Sequence, residues 1–190
     1  MKQKFQTRWI TGGVVFLLVL LFPLSAFCQK ASIKNVNLKE SSGLWKVSFE
    51  VENCFTEKME EAIQSGISTT FSFYIQLYQK RKWWKDRKVA SVEFRHTIQY
   101  IPIQKLYYVT LRDNPSSLAT SSLEEAKRLM SRVNELGVRP ATPLKSGIPA
   151  YFEIKAELDP VRLPLHLEYL LFFVSLWDFE TDWHKEPLPP

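Results

Sequence analysis

The sequence predicts an α+β fold, an antiparallel β-sheet or sandwich with two or three short helices in a single domain. Three observations support this prediction. Several segments alternate apolar and polar residues with a period of two, which is typical of half-buried strands. Three of these segments follow one another with short connections, as in an antiparallel meander. Single segments with helical spacing interrupt the strands, so we expect helices on one face or end of the sheet.

The first predicted elements are two strands and a helix. The segment "ASIKNVNLK" (31–39) leads through a Ser-Ser-Gly turn into "LWKVSFEVE" (44–52), whose apolar residues all fall on one face. A short helix is predicted next, at about 56–65. Thr56 is its expected N-cap, acidic residues fill its first turn, and Gly66 ends it.

The predicted meander consists of strands at 69–82, 87–100 and 104–112. A helix is then expected at 121–135, where Ser121 and Glu124 have the spacing of a capping box and Gly137 follows. The remaining predictions are a strand at 150–158, a buried helix at about 165–174, a last strand at 177–184 and a proline-rich disordered tail at 185–190.

The N-terminal 28 residues are typical of a secretory signal. Lys2, Lys4 and Arg8 precede the uncharged apolar stretch 12–22, and small residues follow it. Cleavage after Cys28 is the main interpretation. An uncleaved N-terminal anchor and lipidation at Cys28 remain as alternatives, because residues 9–28 carry no charge and are barely long enough for a membrane helix.

Residues 29–184 are predicted to form the single domain. Removal of the three cations of the signal lowers the net charge from +5 to +2, which does not favour nucleic acid as a partner. Cys54 is then the one remaining cysteine, and no histidine or asparagine motif frames it. We therefore expect a buried, inert thiol and no internal disulfide.

The stretch "KRKWWKD" (80–86) lies between two strands of opposite direction and is predicted to form the tip of a long hairpin. Tryptophan and arginine are favoured at protein contacts and at membrane surfaces. One interpretation is therefore a contact with an envelope or membrane protein, or a peripheral membrane contact. In the other, Trp83 packs on the sheet and the cations protect its edge. The candidate contact residues are Arg81, Trp83, Trp84, Lys85 and Arg87.

The sequence contains no recognised catalytic, metal or phosphate-binding motif, so we expect no enzyme activity, no catalytic residue, no cofactor and no metal. His96 shares a strand face with Phe94 and Ile98 and is expected in the core. The segment "WDFETDWH" would place its polar residues on one strand face, about 6.6–7 Å apart, which favours a solvated surface over a calcium or manganese site. Those residues are Asp178, Glu180, Asp182 and His184.

Four stretches resemble the bacterial domain-of-unknown-function family number 4390. They are "EEAIQSGISTTFSFYIQLYQKRKWW", "VASVEFRHTIQY", "LEEAKRLM" and "AYFEIKAELDPVRLPLHLEYLLFFVSLWDFETDW". The resemblance implies an exported or membrane-tethered bacterial protein without an assigned activity. It also implies a link to sensor histidine kinases, because genes of such proteins lie beside theirs. The expected location is the periplasm, or the periplasmic face of the inner membrane, of a Gram-negative bacterium.

The resulting functional hypothesis is a non-enzymatic interaction or accessory module of the cell envelope. A carrier of a lipid or small hydrophobic ligand is the alternative. Its expected pocket residues are Phe71, Phe73, Phe172 and Phe173. A metal-dependent hydrolase is the third and weakest hypothesis, because nothing in the sequence arranges a nucleophile.

Overall fold

The computed structural model of the protein describes residues 30–112, 116–159 and 179–189. The predictions for the signal at 1–28 and for the helix at 165–174 lie outside these residues. The strands of the described part are β1 (Ser32–Ser41), β2 (Leu44–Glu52), β3 (Thr69–Gln79), β4 (Arg87–Ile101), β5 (Leu106–Leu111), β6 (Ser117–Thr120), β7 (Arg132–Val138), β8 (Ala150–Leu158) and β9 (His184–Pro187). Its helices are α1 (Glu57–Gln64) and α2 (Leu123–Ser131).

The strands form two antiparallel sheets. One sheet has the order β1-β2-β7, and the other has the order β6-β5-β4-β3-β8-β9. The predicted meander is confirmed, because β3, β4 and β5 are neighbours in the larger sheet. The predicted α+β fold with an antiparallel sandwich is therefore confirmed, and the short strand β6 is an element that the sequence did not predict.

The core lies between the two sheets and is built by the period-two residues. The apolar face of β2 is buried, and the inward face of β3 is completely shielded from solvent. Aromatic rings join the sheets. Trp45 and Phe152 meet edge to face at 6.2 Å, and Phe49 lies 6.0 Å from Phe73. Burial of these alternating side chains sets the register of each strand, since a shift by one residue would expose them.

Helix α1 begins and ends where the sequence predicts. The Thr56 side chain accepts a hydrogen bond from the backbone N–H of Met59 at 3.2 Å, which caps the first turn. At the other end, Gly66 has φ +88°, a left-handed conformation that glycine adopts without steric cost. The helix buries Met59, Ala62 and Ile63, so its apolar face joins the core.

Helix α2 is shorter than predicted and begins two residues later. Its N-cap is Ser122, not Ser121, and it ends at Ser131 instead of residue 135. The segment 132–138 forms strand β7 on the free edge of β2, where Val133 pairs with Phe49. Glu135 has φ +46° in this strand. With this irregular residue in the strand, the inward residues Val133 and Leu136 are three apart, a spacing that also occurs on a helix face. Pairing with β2 overrides the helical preference of the segment.

The C-terminal strand is also displaced from its predicted position. The strand predicted at 177–184 is formed only in part among its described residues. Glu180 makes an isolated bridge with Glu157, and residues 181–183 lie outside any strand. Strand β9 begins at His184 and uses residues that we expected to be disordered. It pairs with the open edge of β8, and Lys185 forms an ion pair with Glu153 at 2.9 Å. An edge position tolerates Pro187, which has no N–H to donate.

Candidate functional site

The connection between β3 and β4 forms a closed hairpin tip, defined as residues 80–86. At its base Gln79 pairs with Arg87, and Val89 forms a bulge in β4. Asp86 holds the tip through both carboxylate oxygens: Oδ1 accepts from the Arg81 N–H at 3.1 Å, and Oδ2 accepts from the Tyr151 hydroxyl at 2.8 Å. The hydrogen bond from Tyr151 is the main reason that the pKa of Asp86 lies below its ordinary value. The tip is therefore anchored to β8.

Both tryptophans of the tip are exposed to solvent. Trp83 is 83% exposed and Trp84 is 80% exposed. The interpretation in which Trp83 packs on the sheet is therefore wrong, because the tip extends beyond the sheet. Lys82 Nζ lies 5.7 Å from the centre of the Trp83 ring, within the range of a cation–π contact. Removing one large apolar side chain from water is favourable by roughly 1.5–3 kcal/mol. A partner that covers the tryptophans would gain part of this free energy on binding.

A basic pocket of about 620 Å³ opens at the base of the tip. One wall is the hairpin, and the other is the loop that precedes β8. Five of the residues that line it are cationic, which are Lys80, Arg81, Lys82, Arg87 and Lys145. Within the part of the chain that the structure describes, none of these five side chains forms an ion pair with a carboxylate.

Gln79 organises this basic pocket. Its side chain is 3% exposed, and its Nε2 donates to the Lys145 carbonyl at 2.9 Å. Its Oε1 accepts from Arg87 Nη2 at 2.9 Å and from the Lys145 N–H at 3.2 Å. The Lys80 N–H donates to the Pro149 carbonyl at 2.9 Å. Hairpin and loop are thus tied together, and the cations line a formed cavity.

Four of the five predicted contact residues lie in the tip, and the fifth, Arg87, is the first residue of β4 at its base. The structure adds Gln79, Lys145 and Tyr151, which the sequence did not single out. Lys145 is separated from the hairpin by more than 50 residues, and no local pattern indicates that its loop crosses beside Gln79. The alternation of β8 does predict that Tyr151 and Phe152 lie on opposite faces, but it does not reveal the contact between Tyr151 and Asp86.

Cys54 and His96 have the structural roles that were predicted. Cys54 is 3% exposed, its Sγ donates to the Val51 carbonyl at 3.4 Å, and burial raises the pKa of its thiol to about 12. A thiol with this pKa is almost entirely protonated near neutral pH and is a poor nucleophile. His96 is buried against Phe73 and Phe94, and its Nδ1 lies 3.0 Å from the Met130 carbonyl oxygen.

The acidic segment before β9 does not form the predicted strand face. Glu180 forms an ion pair with Lys155, and Asp182 forms one with Lys30, each at 2.6 Å. His184 pairs with Glu186 at 3.1 Å, and Asp178 lies outside the described residues. In the described ranges, no three His, Cys, Asp or Glu side chains are grouped closely enough to hold a metal ion.

The predicted lipid pocket is not formed by its described members. Phe71 and Phe73 are completely buried in the core. Phe71 packs edge to face on Phe179 at 4.7 Å, and Phe73 stacks on Phe94 at 5.1 Å. Rings at these distances leave no room for a ligand between them. Phe172 and Phe173 lie outside the described residues.

The fold and the tip together define a two-sheet α+β sandwich that presents an aromatic, basic hairpin. The chain belongs to the family described as a domain of unknown function (DUF4390), whose sequence model matches residues 28–187. This match confirms the resemblance seen in the sequence. No curated protein and no solved structure matches the chain. Neither helix of the described part is long and apolar enough to cross a bilayer.

Proposed function

We propose that this protein is a non-enzymatic interaction module of the bacterial cell envelope, and that the hairpin tip is its contact with a partner protein. The observation that carries the proposal is the pair of exposed tryptophans on an anchored tip. Tryptophan and arginine are the residues most enriched among those that dominate protein interfaces. A tip held by Asp86 also loses little conformational freedom when it binds, which favours affinity.

Export to the envelope is supported by the N-terminal sequence. Its basic residues, apolar stretch and small-residue exit are those of a secretory signal. The resemblance to envelope proteins encoded beside sensor kinases makes the extracytoplasmic part of a membrane sensor the partner that we test first. The structural roles of Cys54 and His96 support a non-enzymatic function, since the two side chains stabilise the core.

Photocrosslinking in living cells tests the proposed contact. We expect a crosslinking amino acid at position 84 to form one discrete adduct, which mass spectrometry then identifies as an envelope protein. The matched control position is Ile103, which is 96% exposed on the turn at the opposite end of β4. We expect no such adduct at position 103, because that turn carries no tryptophan pair.

The variant Trp84→Ala provides the second part of this test. We expect it to abolish the contact with the partner found by crosslinking, while Ile103→Ala leaves the contact unchanged. Circular dichroism should show the same fold for both variants, since neither residue is buried. A folded, exported protein without an adduct at position 84, or with equal adducts at both positions, would contradict the proposed function.

A further inference from the structure

We propose that the partner presents an acidic segment, whose carboxylates enter the basic pocket beside the tip. This inference rests on the proposed function and names the chemistry of the partner. Arg81 supplies a guanidinium group, which can bind a carboxylate through two parallel hydrogen bonds. Arg87 also lines the pocket, and its Nη2 donates to Gln79 Oε1 and to the Pro143 carbonyl. Lys80, Lys82 and Lys145 surround the two arginines with further positive charge. Charge complementarity therefore selects an anionic occupant.

The pocket has the size and order of a binding site. A volume of about 620 Å³ lies in the range of roughly 300–1,000 Å³ that is typical of ligand sites. The buried Gln79 side chain fixes the loop at Lys145 against the hairpin through hydrogen bonds of 2.9 and 3.2 Å. Binding would therefore require little movement of the loop relative to the hairpin.

The basic pocket and the tryptophan pair form one continuous surface. Lys80, Arg81 and Lys82 line the pocket and directly precede Trp83 in the chain. A segment lying across both features would place apolar side chains on the tryptophans and carboxylates in the pocket. We therefore expect this surface to bind a segment in which acidic residues flank apolar ones.

The first described residue lies far from the tip. The first described residue, Lys30, binds Asp182, and the adjacent Thr181 pairs with Ala156 in β8. The tip lies at the other end of the sheet, where Gln79 pairs with Ala150. Six residues of strand separate these two levels, a distance of about 20 Å. Lys30 and the tip therefore lie at opposite ends of β8.

The experiment measures fluorescence anisotropy of a labelled octapeptide that alternates Glu-Asp pairs with Leu-Phe pairs, added to the full-length protein. The comparison peptide replaces every Glu with Gln and every Asp with Asn. We expect the acidic peptide to bind more tightly and to lose affinity as salt rises. The double variant Lys80→Glu/Lys145→Glu should weaken binding by about tenfold or more, since it reverses two of the positive charges that attract the carboxylates.

The matched control is Lys34→Glu/Lys58→Glu, which makes the same charge change at two exposed lysines away from the pocket. We expect this variant to bind as the unaltered protein does. Equal binding of both peptides, equal losses in both double variants, or no binding at all would overturn the inference. The inference would also be overturned if the protein bound phosphatidylglycerol vesicles and not the peptide, and if Lys80→Glu/Lys145→Glu lost this binding. The pocket would then bind a lipid surface.

Crosslinking at position 84 separates the failure of this inference from that of the proposed function. If the adduct persists in Lys80→Glu/Lys145→Glu, the proposal of an interaction module stands and the proposal of an acidic partner segment is rejected. Loss of the adduct in that variant, with retention in Lys34→Glu/Lys58→Glu, would support both proposals. Absence of the adduct from the unaltered protein would reject the proposed function itself.

Discussion

At the residue scale, Asp86 holds the conformation of the hairpin tip. Its carboxylate joins the start of the tip to β8 through Arg81 and Tyr151. The bond from Tyr151 lowers the pKa of Asp86 below its ordinary value of 3.8, so the carboxylate remains charged to lower pH. A lowered carboxyl pKa stabilises the folded tip at pH above 3.8. That contribution is lost as pH falls through the lowered pKa.

The variant Tyr151→Phe should raise the pKa of Asp86 toward 3.8, because it removes the hydroxyl donor and keeps the aromatic ring. Protonation of Asp86 would then release the tip at a higher pH than in the unaltered protein. The measurement is the Asp86 carboxyl signal in a pH titration by nuclear magnetic resonance.

Tyr78→Phe is the control for this titration. The Tyr78 ring stacks on the Tyr151 ring at 5.6 Å, but its hydroxyl donates to Gln76 and not to Asp86. We expect the pKa of Asp86 to be unchanged in this variant. An equal rise in both variants would show that the rings, and not the hydroxyl of Tyr151, set the charge of Asp86.

At the element scale, α2 shows how local signals and sheet pairing compete. The cap belongs to Ser122, whose Oγ accepts from the Glu125 N–H at 3.3 Å. The helix ends at Ser131 because the following residues complete the three-stranded sheet. Backbone pairing and burial of Val133, Leu136 and Val138 in β7 outweigh the helical propensity of this segment.

The variant Ser122→Ala should lower the free energy of unfolding by about 1 kcal/mol, since it removes the N-cap acceptor of α2. Ser121→Ala should change it by less than about 0.5 kcal/mol, as is usual for an exposed residue. Urea unfolding followed by tryptophan fluorescence measures both values. A larger loss of stability in Ser121→Ala than in Ser122→Ala would instead identify Ser121 as the N-cap, as the sequence suggested.

At the scale of the whole molecule, the aromatic residues divide into two sets with different roles. Phe49 and Phe73 join the sheets in the core, whereas Trp83 and Trp84 stand beyond the sheet in solvent. The first set stabilises the sandwich, and the second leaves its apolar surface available to a partner. Within the β3–β4 hairpin, Phe73 therefore contributes to the core, whereas Trp83 and Trp84 do not.

Phe73→Ala should destabilise the protein by about 3–5 kcal/mol, because it opens a cavity among Phe49, Phe94 and His96. Trp84→Ala should change the free energy of unfolding by less than about 0.5 kcal/mol. Thermal and urea unfolding of the two variants test this division. A large loss of stability in Trp84→Ala would mean that the tip is part of the core and not a contact surface.

The sequence by itself determined the elements whose pattern is local. Strict alternation in β2, β3, β4 and β8 predicted their burial, and Thr56 and Gly66 marked the ends of α1. It also indicated the hairpin tip and five candidate contact residues in or beside it, because two adjacent tryptophans between strands are conspicuous in the sequence. These features depend on periods of a few residues, which the chain displays directly.

Only the tertiary structure showed the elements that form by pairing with segments far away in the sequence. Strands β7 and β9 form because β2 and β8 offer open edges, and neither segment has a clear pattern of its own. The basic pocket likewise exists because the loop at Lys145 crosses beside Gln79. Contacts between residues far apart in the chain depend on which strands pair and how the sheets pack. A period of a few residues in the sequence does not specify that pairing.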